Sequence, residues 1–166
     1  SSEEMARSLA DLWLVNRSWG GFRVLARRVL ERVGRSPGGR LLLLDIGAGS
    51  GHLARRLARC LKAAGVDAVV VATDLQWRHL AAGRRMLGGD SPPAVSADAF
   101  LLPFADRSVD WVVSNLFFHH FSPEENVRLL KSFARVARRG FLSLDLRRHR
   151  LPLLFASLAG RYLFRS

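Results

Sequence analysis

The chain has 166 residues, 49% of them hydrophobic, one cysteine and a formal net charge of +12. That length and apolar content suit one domain with a real core, which excludes a disordered segment and a disulfide-stapled scaffold. The single Cys60 is compatible with a reducing cytoplasm, the expected location, and no run reaches the roughly 18 apolar residues of a spanning helix.

The first residues, Ser1-Ser2-Glu3-Glu4, are acidic and polar and do not form a signal peptide. Without an initiator Met they read as a start inside a longer chain or after tag removal. Helical spacing of Leu9, Leu12 and Trp13, then of Val24, Leu25, Val29 and Leu30, predicts helices over 3–15 and 22–33. Asn16 to Gly21 separates them. Residues 1–34 are therefore expected to form a helical cap, and 35–166 the main unit. After a turn at Ser36-Pro37-Gly38-Gly39, Arg40 to Ile46 is a short apolar run of the kind buried on both faces of a parallel sheet. A glycine-rich turn follows, then a helix from His52 to Ala64 with Leu53, Leu57, Cys60 and Leu61 on one face.

Ala68 to Thr73, rich in valine, predicts a second strand. A helix over Arg78 to Leu87 stops at Gly88-Gly89. Ala94 to Ala97 and Val109 to Ser114 read as the third and fourth strands. Ser122-Pro123-Glu124-Glu125 starts a helix that runs to about Ala137, with Ser as N-cap, Pro at the first position and Glu closing a capping box. Gly140 then leads into a fifth strand, Phe141 to Leu146, and Pro152 to Phe164 is a last apolar helix. Strands alternating with helices imply an α/β doubly wound, mostly parallel sheet, with helices on both faces.

In such sheets ligands bind beyond the carboxyl ends of the strands. The first strand ends at Asp45, and Gly47-Ala48-Gly49-Ser50-Gly51 feeds straight into a helix whose amides face the site. A dinucleotide fingerprint would need glycine at position 52, where His52 stands, so a nicotinamide-dependent dehydrogenase is disfavoured. The second strand ends at Asp74, 23 residues on from Gly51, where a carboxylate either accepts hydrogen bonds from both hydroxyls of a ribose or caps the next helix. The pattern Asp45-x-Gly47-x-Gly49-x-Gly51 resembles the first motif of class I S-adenosylmethionine (SAM)-dependent methyltransferases. Leu102-Pro103-Phe104 with Asp106, Ser108, Asp110 and Val112 is similar to a stretch common in the small-molecule members, those acting on quinones and polyketides.

The resemblance runs over about residues 40–146. It implies a Rossmann-like sheet of strand order 3-2-1-4-5 and a site that binds SAM and its demethylated product, S-adenosylhomocysteine. Asp45, Gly47, Ala48, Gly49, Gly51, Leu75 and Asn115 would meet the cofactor, Asp74 its ribose, and Asp98 and Ala99 its adenine. The loop Ser114 to Phe121 lacks the Asn/Asp-Pro-Pro-aromatic motif of base and glutamine N-methylation. Cys60 lies far from it in sequence, against pyrimidine C5 chemistry. What remains is O-, C- or N-methylation of a small, aromatic or lipid-like acceptor. His119 and His120 are the candidate general bases; the alternative is that they only pack or hydrogen-bond backbone. Their adjacency does not suit a metal, and none is expected.

Three further readings stay open. The positive charge would serve an RNA methyltransferase, although 24 of the 26 basic residues are arginines spread over several elements, which also describes a solvated surface. A chain ending after five strands lacks the C-terminal hairpin of the family and carries Arg138-Arg139-Gly140 in place of a Pro-Gly turn. It would leave the fifth strand as an open edge, covered by missing chain or by a homo-oligomer. It would also suit a module that binds SAM without turnover.

Overall fold

The computed structural model describes residues 21–33 and 39–145. Helix 3–15, most of the turn 36–39, Leu146 and the helix 152–164 lie outside the described residues. Helix α1 spans Gly21–Val33, β1 Leu41–Ile46, α2 His52–Ala63, β2 Ala68–Asp74 and α3 Trp77–Leu87. Strand β3 spans Ala94–Ser96, β4 Val109–Asn115, α4 Pro123–Val136 and β5 Ala137–Leu144. The five strands form one sheet in the order β3-β2-β1-β4-β5, and every neighbouring pair is parallel.

Alternation along each strand divides the core into two layers. Leu41, Leu43, Val70, Trp111 and Val113 face α1 and α2, where they meet Phe22, Val29, Leu57 and Leu61. Leu44, Ile46, Val71 and Val112 face the other side and pack on Leu129, Phe133 and Val136 of α4. The capping box forms as the sequence predicts: the Glu125 amide donates to Ser122 Oγ and the Ser122 amide donates to the Glu125 carboxylate.

The junction between α4 and β5 differs from expectation. Instead of turning at Gly140, the chain leaves the helix at Val136 and enters the strand at once at Ala137. Gly140 lies inside the strand with φ of 147°, where the register against β4 shifts between Val109 and Trp111. A Cβ at Gly140 would stand 3.2 Å from the Trp111 ring. The residue is glycine because a bulge needs that backbone and the indole fills the space of a side chain.

Asp110 explains why two arginines precede that glycine. Its carboxylate, buried at the start of β4, accepts from the Leu42 amide of β1 at 3.0 Å and from Arg138 and Arg139 of β5 at 3.0 and 2.9 Å. Burial works against the charge, but the Leu42 amide and the two guanidiniums prevail and hold the carboxyl below the usual range. Asp106 is likewise paired, with Arg135 at 2.9 Å, while the same guanidinium donates to the carbonyls of Leu102 and Phe104. The acids of the Leu102 to Val112 stretch thus join three strands and a helix. No helix among the described residues is long and apolar enough to cross a membrane.

Candidate functional site

After Ile46 the backbone takes positive φ at Gly47, Gly49 and Gly51 (71°, 54° and 74°), the region where side chains are disfavoured. The turn is pinned from β2: the amides of Gly47 and Ala48 donate to the Thr73 carbonyl at 2.9 and 3.1 Å, and the Gly49 amide donates to Asp74 Oδ2 at 2.8 Å. It is also pinned from α3. Gly83 is buried in that helix, and a Cβ there would collide with the Ser50 carbonyl. Asp74 Oδ1 accepts from the Gln76 amide at 2.8 Å, while Gln76, not Asp74, occupies the N-cap position of α3. An ionised carboxylate has about four acceptor positions, so both oxygens of Asp74 keep capacity for further donors.

Asp45 points to the α2 side of the sheet and is 2% exposed, with Oδ2 buried and unpartnered. Burial, and then the negative charge of Asp74, push its carboxyl up to about 8 against the pull of the Ala54 amide, so at neutral pH it is largely protonated. Thr73 Oγ1 and both polar atoms of the Asn115 amide are buried without partners as well. These orphaned atoms sit at the carboxyl ends of β1, β2 and β4, three adjacent strands. Each costs about 1–3 kcal/mol unless something satisfies it. Donors and acceptors so placed around a glycine turn fit a ligand bearing hydroxyl, amino and carboxylate groups, as S-adenosylmethionine does.

The other candidate cofactor residues border the same edge. The Ala97 amide donates to the Asp74 carbonyl at 3.0 Å, which brings the turn Asp98-Ala99 beside Asp74. Asp98 is exposed, and its Oδ1 accepts from the Phe100 amide at 2.9 Å. Leu75 projects into solvent, 64% exposed.

Beyond β4 the chain is strained. Leu116 has φ of 54°, rare for a branched side chain, and its amide donates to the Leu144 carbonyl at 2.8 Å. Phe117 then lays its ring against Gly47, in the space a Cβ would take. Phe118 to His120 make one 3-10 turn. Phe117, Phe118 and Phe121 are half-buried against the α4 layer of the core, with Phe117 and Phe121 ring centroids 5.0 Å apart. Asp145, just past β5, gathers this loop. Its Oδ2 accepts from the amides of Phe117 and Phe118 at 3.0 and 2.6 Å, and its Oδ1 lies 2.8 Å from His119 Nδ1. Three donors around one carboxylate assign the proton to Nδ1 and leave Nε2 as the basic nitrogen. His120 is exposed, its ring centroid 3.9 Å from that of His119. Burial, and then His119, lower its pKa, with Asp145 opposing.

Two positions escaped sequence reasoning. Gly83 carried a signal, an isolated glycine inside a helical pattern, which marks a close backbone approach. Asp145 stood in the sequence only as one residue of the expected fifth strand. Its pairing with His119 depends on the parallel register of β4 and β5, which periodicity does not reveal. Among the described residues no group of three or more His, Cys, Asp or Glu is arranged to hold a metal ion.

Residues 43–140 match the family described as "Methyltransferase domain". In fold the chain is similar to a protein of Methanococcus maripaludis assigned as an S-adenosyl-L-methionine-dependent methyltransferase, at 15% identity and a TM-score of 0.66 over 95% of this chain and 71% of that one. It is similar to the PH0226 protein of Pyrococcus horikoshii, at 24% identity and a TM-score of 0.67 over 88% of this chain and 62% of that one. The [4+2]-cyclase SpnF matches at 24% identity and a TM-score of 0.54, over 69% of this chain and 40% of that one. The chain therefore spans only part of the length of each. No curated protein matches it in sequence. Strand order, a glycine turn after β1, an acid at the end of β2 and a matched family model over more than half its length agree: the chain belongs to the methyltransferase-domain family of class I, SAM-dependent fold.

Proposed function

We propose that this protein methylates an oxygen or acidic carbon of a small, aromatic or lipid-like metabolite, with His119 as general base and Asp145 as its positioning residue. One observation carries the reading: the 2.8 Å contact between His119 Nδ1 and Asp145 Oδ1, at the end of the sheet that carries the glycine turn. The carboxylate behind it fixes the ring's orientation and tautomer, which leaves Nε2 to accept a proton. SAM supplies a methyl group on a positively charged sulfur. Asp74 would hold the ribose through its spare acceptor positions, Asp98 and Ala99 the adenine, and Asp45 and Asn115 would find partners for their orphaned atoms in the amino-acid portion. His119 takes the proton that the acceptor loses as it attacks. Phe117, Phe118 and Phe121 offer an apolar wall that excludes water and orients a flat or hydrocarbon acceptor.

The test pairs S-adenosylhomocysteine binding with methyl transfer to a panel of phenols and β-dicarbonyls, for the native protein, H119Q and D145N. Binding kept, with transfer down about 100-fold or more in H119Q, supports the reading. D145N should also move the acidic limb of the pH–rate profile, which a purely structural role would not do. Transfer that survives in H119Q removes the base. Cofactor binding without transfer to any acceptor would favour a non-catalytic module. An RNA acceptor is the second reading, favoured by the net charge of +12. Among the described residues β5 pairs only with β4, and its outer edge would suit a second copy of the chain in either case.

A further inference from the structure

A second cleft, of about 720 Å3, lies outside the site described above. It runs beside α2 toward the amino ends of β1 and β2 and shares no residue with the glycine turn, Asp74, Asp98 or Asn115. Its cations are Arg40, Arg55, Arg59 and Lys62, and its acids are Asp67 and Asp90. Arg55, Arg59 and Lys62 recur at i, i+4 and i+7, so they form one stripe on α2 spanning about 10 Å. Arg56, the next residue round the helix, is engaged elsewhere, its guanidinium 4.0 Å from the centroid of the Phe22 ring.

Three features separate this stripe from an ordinary solvated helix face. First, Arg55 is 29% exposed, and its Nε is buried without a hydrogen-bond partner, an arrangement that costs energy at a site meant only for water. Second, the acids do not balance the cations. Asp90 accepts from both Arg55 and Arg59, Asp67 stands 3.8 Å from Arg40, and Lys62 has no ion pair among the described residues. Third, the opposite wall is built in advance. Pro92 and Pro93 fix the backbone, and the Ser91 hydroxyl ties the loop to the carbonyls of Gly88 and Arg84 at 2.8 and 3.2 Å.

We propose that this cleft binds a nucleoside diphosphate or triphosphate. The spread of cations along the helix suits linked phosphates better than a single one, because two or more charges can be met at once. Arginine offers paired donors to phosphate oxygens and lysine a point charge. Ala58, Val66, Pro92 and Pro93 give the uncharged part of the ligand an apolar surface. The volume falls in the range of small-ligand sites, about 300–1,000 Å3.

Calorimetric titration of the full chain with ADP and with pyrophosphate tests this at fixed, low salt. Expected is saturable one-to-one binding of both, weakened at least tenfold in R55Q and in K62Q, with melting temperatures near that of the native protein. K62Q matters because Lys62 holds no ion pair whose loss would unfold the site. Binding of neither probe overturns the proposal. So does binding that R55Q and K62Q leave unchanged, which would place the ligand elsewhere. Decauridylate binding more tightly than ADP, with a steep salt dependence, would also overturn it and assign the stripe to nucleic acid.

Discussion

The two ends of the sheet treat the same kinds of residue in opposite ways. At the start of β4, Asp110 is as buried as any acid among the described residues, yet each of its oxygens accepts from an amide or a guanidinium. At the carboxyl ends of β1 and β4, Asp45 is enclosed just as tightly and the amide atoms of the half-buried Asn115 are shielded too, in both cases with atoms left unpaired, and the backbone beside them takes positive φ at Gly47, Gly49, Gly51 and Leu116. One end spends its polar groups on holding strands together. The other keeps them unspent at a cost in stability, the mark of a place that expects a ligand. Unpartnered buried atoms also occur elsewhere, at Trp111 Nε1 and Ser132 Oγ for example; what marks the site is their convergence on the carboxyl ends of three adjacent strands.

The largest effect is expected where a small change would break the unspent end while sparing the frame. An alanine in a helix is ordinarily about 1 kcal/mol better than a glycine. In Gly83→Ala the new Cβ meets the Ser50 carbonyl, which belongs to backbone and has little room to give. The glycine turn must move, and S-adenosylhomocysteine affinity should fall about 100-fold or more, the order of effect expected when a backbone cradle is displaced by an ångström. Calorimetry on the folded variant reads this. Unchanged affinity would show that the turn tolerates displacement and that α3 does not hold it in shape.

Next in size is the frame itself. Asp110→Asn leaves the shape but removes the charge that three donors share, and should destabilise by about 2–4 kcal/mol. Because the folded carboxyl titrates below its unfolded value, the stabilisation is present above about pH 4 and lost as pH falls through the folded value. The denaturant midpoint should therefore fall further between pH 7 and pH 3 in the native protein than in the variant. Equal pH dependence in the two would remove Asp110 as the link between β1, β4 and β5.

The contrast also explains what was legible in the chain beforehand. The parallel sheet and the capping box at Ser122 were readable because each rests on local pattern, and the strand order because the family resemblance implied it. The glycine turn and Asp74 were readable because glycine spacing and a strand-end acid are local too. The α4–β5 junction was misjudged because Gly140 looks like a turn in sequence. Only the Trp111 ring on the neighbouring strand makes it a bulge. The arginines there looked like surface charge for the same reason, since their partner Asp110 lies 28 and 29 residues away. His119 was found as a candidate base, but the Asp145 that orients it was not, because that contact exists only once β4 and β5 are aligned.

The sharpest prediction concerns Asp45, where the two ends of the sheet differ in sign. Its carboxyl is raised to about 8 when folded, whereas an unfolded aspartate titrates near 3.9. The native state therefore binds a proton that the unfolded state has released between those two values. Stability from this group is complete below about pH 4 and declines as pH rises toward 8, opposite to the behaviour of Asp110. Asp45→Asn keeps the shape and cannot ionise. Its melting temperature relative to the native protein should climb steadily from pH 5 to pH 8. A difference that stays flat over that range would mean that Asp45 is already ionised and satisfied, and the distinction between a spent and an unspent end would fail at the residue that defines it.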